Sequence, residues 1–304
     1  NFSKQLYHAS LTEDDQPLGM RFDLTVPMAR YVAAHASELS FPFSRYQIGP
    51  VWRGEHAQAG RYREFMQCDA DIVGSTGTLA DAQIIALAYR AFEALGLGAQ
   101  VVLRVSDRML LAGLAEYLDY KSDLTVHVVR SIDKLEKQGW EVVARELGEH
   151  GLDAQQIDGI QELLSIEAST AEQRIEQANT LLTGATTSLA ALGRLAEITA
   201  HLDAFGVPRS AWTLDFSIAR GLGYYTGMVF ETMLTTLPSI GSIASGGRYD
   251  DLVSRFAPLE LSGVGMSVGV DRLLAALQEV GNIQVTEQAR LVAVLNFDPQ
   301  SQLH

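Results

Sequence analysis

A chain of 304 residues is long enough for about two domains and a sizeable core, and its 47% apolar and 20% charged residues match an ordinary globular protein. The single cysteine, Cys68, excludes an intrachain disulfide, and no apolar run approaches the roughly 20 residues of a membrane span, so a soluble, cytoplasmic chain with no membrane partner is expected. The net charge of −14 excludes general coating of nucleic acid, though a local basic face that reads one RNA is compatible with it.

Residues 19–74 read as strand, helix and a long hairpin. Arg21-Phe22-Asp23-Leu24-Thr25-Val26-Pro27 leads into an apolar helix that runs to about His35. Thr25 suits its N-cap and Pro27 its first turn; capping leaves Asp23 unexplained. Residues 43–53 then alternate, with Arg45, Gln47, Gly49, Val51 and Arg53 on one face. Residues 64–73 alternate more cleanly: Phe65, Gln67, Asp69 and Asp71 share one face, and Met66, Cys68, Ala70 and Ile72 the other. Such alternation marks strands with one polar side. On pattern alone that side faces solvent, next to a charged linking loop over 54–63. The rival view is a ligand floor. Carboxylates and an amide in line suit a cationic group, and Arg53, Arg61 and Arg63 beside them suit phosphates.

Residues 76–97 read as a helix and 101–105 as a strand. Residues 107–205 are almost wholly helical in pattern, rich in Glu, Leu, Ala and Gln, with no evident chemistry. Strands return over 212–270. Within them, Arg220-Gly221-Leu222-Gly223-Tyr224-Tyr225 could be only a bend. Gly246-Gly247 reads as a turn before a helix over 249–256. The strand at 263–269 is built of small residues that let a ligand approach the backbone. In the helix over 270–280, Val270, Leu273, Leu274 and Leu277 form an apolar stripe. Arg272 lies off that stripe near the helix N-terminus, where a cation opposes the dipole unless an anion is bound. The apolar run at 291–297 resembles a buried parallel strand with nothing to pair with, so a further α/β domain is expected after it. Together these segments predict an α+β fold, one antiparallel sheet flanked by helices and interrupted by a helical insertion. The expected divisions are 1–105, 106–205, 206–283 and 284–304.

Val51-Trp52-Arg53-Gly54-Glu55 followed by Gly60-Arg61-Tyr62-Arg63-Glu64-Phe65 resembles motif 2 of class II aminoacyl-tRNA synthetases, in its histidine-specific form. Residues 218–227 are similar to the signature of histidyl-tRNA synthetases and their relatives, except that Gly223 stands where the family usually has Asp. Residues 263–272 resemble motif 3. The similarity covers nearly the whole chain, from about 4 to 297, and implies a class II sheet with a helical insertion domain. It also implies a motif 1 upstream of Asn1 and an anticodon-binding domain beginning within 284–304.

The resemblance further implies roles. Arg53 grips the α-phosphate and the amino-acid carboxylate, Glu55 meets the adenine edge, Arg61 the outer phosphates, and Phe65 stacks on adenine. Arg272 stacks on adenine and contacts the γ-phosphate. Asp23, Thr25 and Gln67 serve the histidine ammonium or carboxylate. Arg220 is the histidine-specific cation at the α-phosphate, and Tyr224 and Tyr225 line the imidazole pocket. Neutral imidazole has one donor and one acceptor nitrogen; Asp71 could accept from the first and Tyr225 donate to the second. The expected chemistry joins L-histidine and ATP, with Mg2+ on the phosphates, into an adenylate and passes histidine to tRNA(His), in a homodimer. The main rival is a paralogue that serves as the regulatory subunit of ATP phosphoribosyltransferase, binding histidine without aminoacylation. The arginines at 53, 220 and 272 oppose it. A class II synthetase for another amino acid is disfavoured by the 220–225 segment.

Overall fold

The computed structural model describes residues 5–9, 18–56, 60–219, 225–281 and 283. A short ribbon pairs β1 (His8–Ala9) with β2 (Leu18–Gly19). The first helix, α1 (Thr25–His35), precedes a hairpin of β3 (Phe43–Trp52) and β4 (Glu64–Val73), then α2 (Thr78–Ala94) and β5 (Val101–Asp107). The helical block comprises α3 (Arg108–Ala112), α4 (Leu114–Leu118), α5 (Thr125–Ile132), α6 (Leu135–Gln138), α7 (Trp140–Glu149), α8 (Ala154–Leu164), α9 (Ala171–Leu181) and α10 (Thr186–Ala204). The chain then returns to the sheet through β6 (Trp212–Leu214), β7 (Met228–Leu234), β8 (Ala244–Tyr249) and β9 (Gly263–Gly269), ending its described part in α11 (Val270–Glu279).

Seven strands form one sheet in the order β3-β4-β9-β8-β7-β5-β6. Every neighbouring pair is antiparallel except β5 and β6, which flank the helical block in sequence and run parallel. The fold is thus α+β, a mixed, largely antiparallel sheet flanked by helices. Ile84, Ala88 and Phe92 recur every four residues along α2 and are buried, which presses this helix onto the sheet. The same buried cluster runs through Leu103, Leu147, Leu192 and Phe230, so sheet and helical block share apolar contact. Each such side chain contributes roughly 1.5–3 kcal/mol by leaving water.

Local signals set the helix ends. Asp153 accepts from the Gln156 backbone N–H at 2.9 Å, while the Gln156 side chain accepts from the Asp153 N–H at 3.0 Å, a capping box that starts α8. Asp107 starts α3 by accepting from Met109 N–H at 2.8 Å, and its other oxygen pairs with Arg194 of α10 at 2.8 Å.

Two expectations are corrected here. Gly246 and Gly247 lie inside β8, not in a turn, and the only helical turn within 249–256 is a 3-10 segment at Val253–Arg255. A Cβ at position 246 would fall 2.4 Å from the Gly265 carbonyl oxygen and 2.5 Å from the Phe230 ring, so glycine there serves close strand packing. The polar face of β4 is also not solvent-facing: Gln67, Asp69 and Asp71 are 6%, 1% and 2% exposed. The opposite face carries Cys68, Ala70 and Ile72 into the main core. A smaller apolar cluster joins Met28, Ala29 and Val32 of α1 to Val73, Tyr249 and Leu252, holding α1 beside the start of the polar face.

Candidate active site

A cavity of about 370 Å³ opens over the polar face of β4, within the size of small-molecule sites. It brings together Asp23, Thr25, Arg53, Glu55, Arg61, Phe65, Gln67, Asp71, Tyr225 and Arg272. Arg220 and Tyr224 lie outside the described residues, as does the run at 291–297.

The floor is acidic and held from below. The Asp71 carboxylate pairs with the Arg45 guanidinium at 2.8 Å and accepts from the Tyr249 hydroxyl at 2.5 Å. Arg45 also donates to the Gln47 side chain and the Leu24 carbonyl, both at 3.1 Å, which ties the floor to the start of α1. Burial still pushes Asp71 up to about 6, because loss of water outweighs the pull of Arg45 and Tyr249. Asp69, opposite Ser267 in the ladder, is pushed up to about 7 by burial and by its neighbour Asp71, against the Ser267 hydroxyl that favours its charge. Asp23 is raised too, chiefly by burial, against the Val26 N–H and the Arg53 charge that favour its ionised form.

At the start of α1 the sequence-based assignment of the cap is corrected. Leu24 occupies the cap position and Thr25 is already helical. The Val26 N–H donates to Asp23 at 2.9 Å, so it is Asp23 whose side chain meets an open helix N–H. Thr25 caps nothing and lines the cavity.

The other end of the cavity is cationic. Arg53 donates to the Phe22 carbonyl at 3.1 Å, and its guanidinium carbon lies 4.4 Å from the Phe22 ring centre and 5.1 Å from that of Phe65. Two rings thus hold the guanidinium plane by cation–π attraction. Arg61 stands 3.9 Å from Glu55. Arg272 donates to the Gly60 carbonyl at 3.0 Å and the Ser242 carbonyl at 2.7 Å. Those carbonyls give its charge a structural partner against the helix dipole, which the sequence alone did not offer.

Several residues escaped the sequence reading. Arg45 and Asp69 were on the right strand faces, but nothing in the pattern showed that these faces were covered. Tyr249 falls in the helix expected over 249–256, and its reach to Asp71 does not show in that pattern. Arg248 is buried in β8 and pairs with Asp81 of α2 at 2.8 Å, donating also to the Ser75 and Gly77 carbonyls and to Ser262. The Arg248 carbonyl accepts from Thr226 N–H at 2.8 Å, which anchors the chain just after Tyr225. The Tyr225 ring lies flat enough on β8 that a Cβ at Gly247 would fall 2.9 Å from it.

Known proteins resemble this chain in sequence and fold. A family described as histidyl-tRNA synthetase matches residues 4–273. The histidine–tRNA ligase of Rhodopirellula baltica is 44% identical over 284 residues, covering 93% of this chain and 64% of that protein. That of Wolinella succinogenes is 44% identical over 283 residues, covering 92% and 63%. The crystal structure of histidyl-tRNA synthetase from Nostoc sp. PCC 7120 superposes with a TM-score of 0.82 at 34% identity, covering 92% of this chain and 64% of that one. A Bacillus halodurans protein titled ATP phosphoribosyltransferase regulatory subunit/histidyl-tRNA synthetase superposes with a TM-score of 0.76 at 25% identity, covering 90% and 68%. The chain spans less than two thirds of the length of the curated relatives it matches, 64% and 63% for these two. On the match across 4–273 and on these identities, the chain belongs to the histidyl-tRNA synthetase family.

Proposed function

We propose that this chain activates L-histidine with ATP and serves a histidine–tRNA ligase that passes the amino acid to tRNA(His). The observation that carries this reading is one cavity with an acidic floor at Asp23, Asp69 and Asp71 and a cationic end at Arg53, Arg61 and Arg272. Such a cavity suits a substrate with an ammonium group beside a triphosphate. A histidine carboxylate oxygen would attack the α-phosphorus; that P–O bond forms as the bond to the β-phosphate oxygen breaks and pyrophosphate leaves. No protein nucleophile takes part, so rate comes from position and charge. Arg53, oriented by Phe22 and Phe65, would meet the α-phosphate and the amino-acid carboxylate, with Arg220 as its counterpart. Arg61 would take the outer phosphates, Glu55 and Phe65 the adenine, and Arg272 the adenine and γ-phosphate. Asp23, Thr25 and Gln67 would hold the amino-acid backbone, and Asp71, Tyr224 and Tyr225 the imidazole.

The described residues contain no group of three His, Cys, Asp or Glu that could hold a metal ion. Magnesium would come with the triphosphate as part of the nucleotide substrate. There it would neutralise charge on the leaving pyrophosphate. In the second step the terminal 3′-hydroxyl of tRNA would attack the adenylate carbonyl, releasing AMP.

A homodimer and a cytoplasmic location belong to the same proposal. The outer face of edge strand β3 supports the first, with Tyr46 80% and Ile48 60% exposed. No helix among the described residues is long and apolar enough to cross a membrane. The divisions at 105, 205 and 283 are likewise proposed as the boundaries between two parts of a catalytic core, a helical insertion and a linker to a further domain.

The test is exchange of labelled pyrophosphate into ATP by the full-length protein. Exchange that requires histidine supports the ligase. Histidine binding with no exchange would favour a regulatory role like the one in the name of the Bacillus halodurans protein.

A further inference from the structure

From the floor of the cavity we infer that Asp69 is a second carboxylate ligand of the amino acid's α-ammonium group, acting with Asp23. This rests on the proposal that the cavity binds an amino acid. Asp69 is 1% exposed, and neither of its carboxylate oxygens takes a well-formed hydrogen bond among the described residues, although the Ser267 hydroxyl opposite it in the ladder is near enough to favour its charge. The Gln67 Oε1 atom, on the same strand face, is buried without a donor as well. Side chains two apart on a strand stand about 7 Å from each other on one face, so one small group can reach both. Once Asp69 is ionised, which burial delays to about 7, these atoms are all acceptors, and buried acceptors without donors are costly.

The missing partner is therefore rich in N–H and carries positive charge. A hydroxyl brings one donor and neutral imidazole one, whereas an ammonium group brings three and accepts nothing. Electrostatics agree. Asp23 and Asp71 each push the Asp69 carboxyl up, so all three acids lie close enough to repel. Arg45 is committed to Asp71, Gln47 and the Leu24 carbonyl. Asp71 therefore has its own cation and its own hydroxyl, while Asp69 has no ion pair among the described residues. The two acids divide the substrate: Asp71, in direct ion pair with Arg45, faces the ring, and Asp69, which feels Arg45 without pairing with it, takes the ammonium of the ligand.

The experiment is calorimetric titration of the full-length wild type and Asp69→Asn with histidine, histidinol and imidazolepropionate, alongside thermal melting without ligand. Histidinol keeps the ammonium and lacks the carboxylate; imidazolepropionate is the reverse. Asp69→Asn is expected to weaken histidine and histidinol by about tenfold or more, leave imidazolepropionate unchanged, and not lower the melting temperature. Equal affinity for histidine in both proteins, or an equal loss for all three ligands, would overturn the inference. A wild type that binds no histidine would instead overturn the amino-acid site itself, and this inference with it. Asp69→Ser carries the same expectation, so a folding defect in one variant leaves the other to decide.

Discussion

Gly265 of β9 lies opposite Asp71 of β4, and a Cβ built on it would fall 1.9 Å from the Asp71 Oδ1 atom. The small residues of β9 therefore have a structural use besides the ligand access expected from the sequence. One of them makes room for a neighbouring side chain. Gly265→Ala is expected to push the Asp71 carboxylate off Arg45 and Tyr249 and to destabilise the fold by about 1–3 kcal/mol through overpacking. Thermal melting and histidine titration would check this; a variant with unchanged melting and unchanged affinity would show that the carboxylate sits elsewhere.

Arg45 is the cation that Asp71 depends on. Arg45→Met leaves a buried carboxylate without its charge partner, a change that typically costs ~3–5 kcal/mol. The cost should shrink in acid. Asp71 is already raised to about 6 with Arg45 beside it, and losing that attraction raises it further. Below that pH it takes up a proton and needs no cation. Urea denaturation at pH 5 and pH 8 is expected to show the larger deficit at pH 8, and a deficit equal at both would contradict the ion-pair explanation.

The acid floor also sets how stability follows pH. Asp69 is raised to about 7, so the folded chain keeps a proton that the unfolded chain has released by about pH 4. Between those values the folded state binds more protons than the unfolded state. Its stability therefore falls as pH rises, and the loss is complete above the folded value. Asp69→Asn removes that group alone. Its stability advantage over wild type is expected to grow by on the order of 2–4 kcal/mol from pH 4 to pH 8. The check is the denaturation midpoint of both proteins across that range, where parallel curves would contradict the assignment.

Arg248 spreads its donors over Asp81, two carbonyls and Ser262. Lysine keeps the charge but not the planar fork. Arg248→Lys is expected to cost about 1–3 kcal/mol by leaving buried acceptors unpaired. It should also weaken histidine binding, because the strand that follows Tyr225 is hydrogen-bonded to residue 248. Melting and titration together would show it; a stable variant with intact binding would mean that this anchor is dispensable.

Much of the fold was legible because its signals are local. The two-residue alternation of 64–73 gave β4 and the shared face of Gln67, Asp69 and Asp71. The stripe read as Val270, Leu273, Leu274 and Leu277 gave α11, but only Leu273 and Leu277 pack on the core while Val270 and Leu274 are exposed; the off-stripe Arg272 reached the cavity. What could not be read was whatever depends on partners distant in sequence. A polar strand face looks the same whether water or Tyr249, 178 residues away, lies over it. Gly246-Gly247 has the composition of a turn, and only the nearness of Phe230 and Gly265 makes it a strand. Thr25 and Asp23 stand two residues apart at one helix start, and sequence preference alone assigned the cap to Thr25 when the bond goes to Asp23.

The most direct measurement is histidine-dependent pyrophosphate exchange by full-length Asp71→Ala beside the wild type, with histidine and ATP each varied. If the Asp71 carboxylate recognises the imidazole, the KM for histidine rises about tenfold or more while the KM for ATP stays within about twofold. Equal rises in both would mean that Asp71 merely supports the cavity and that histidine is recognised elsewhere.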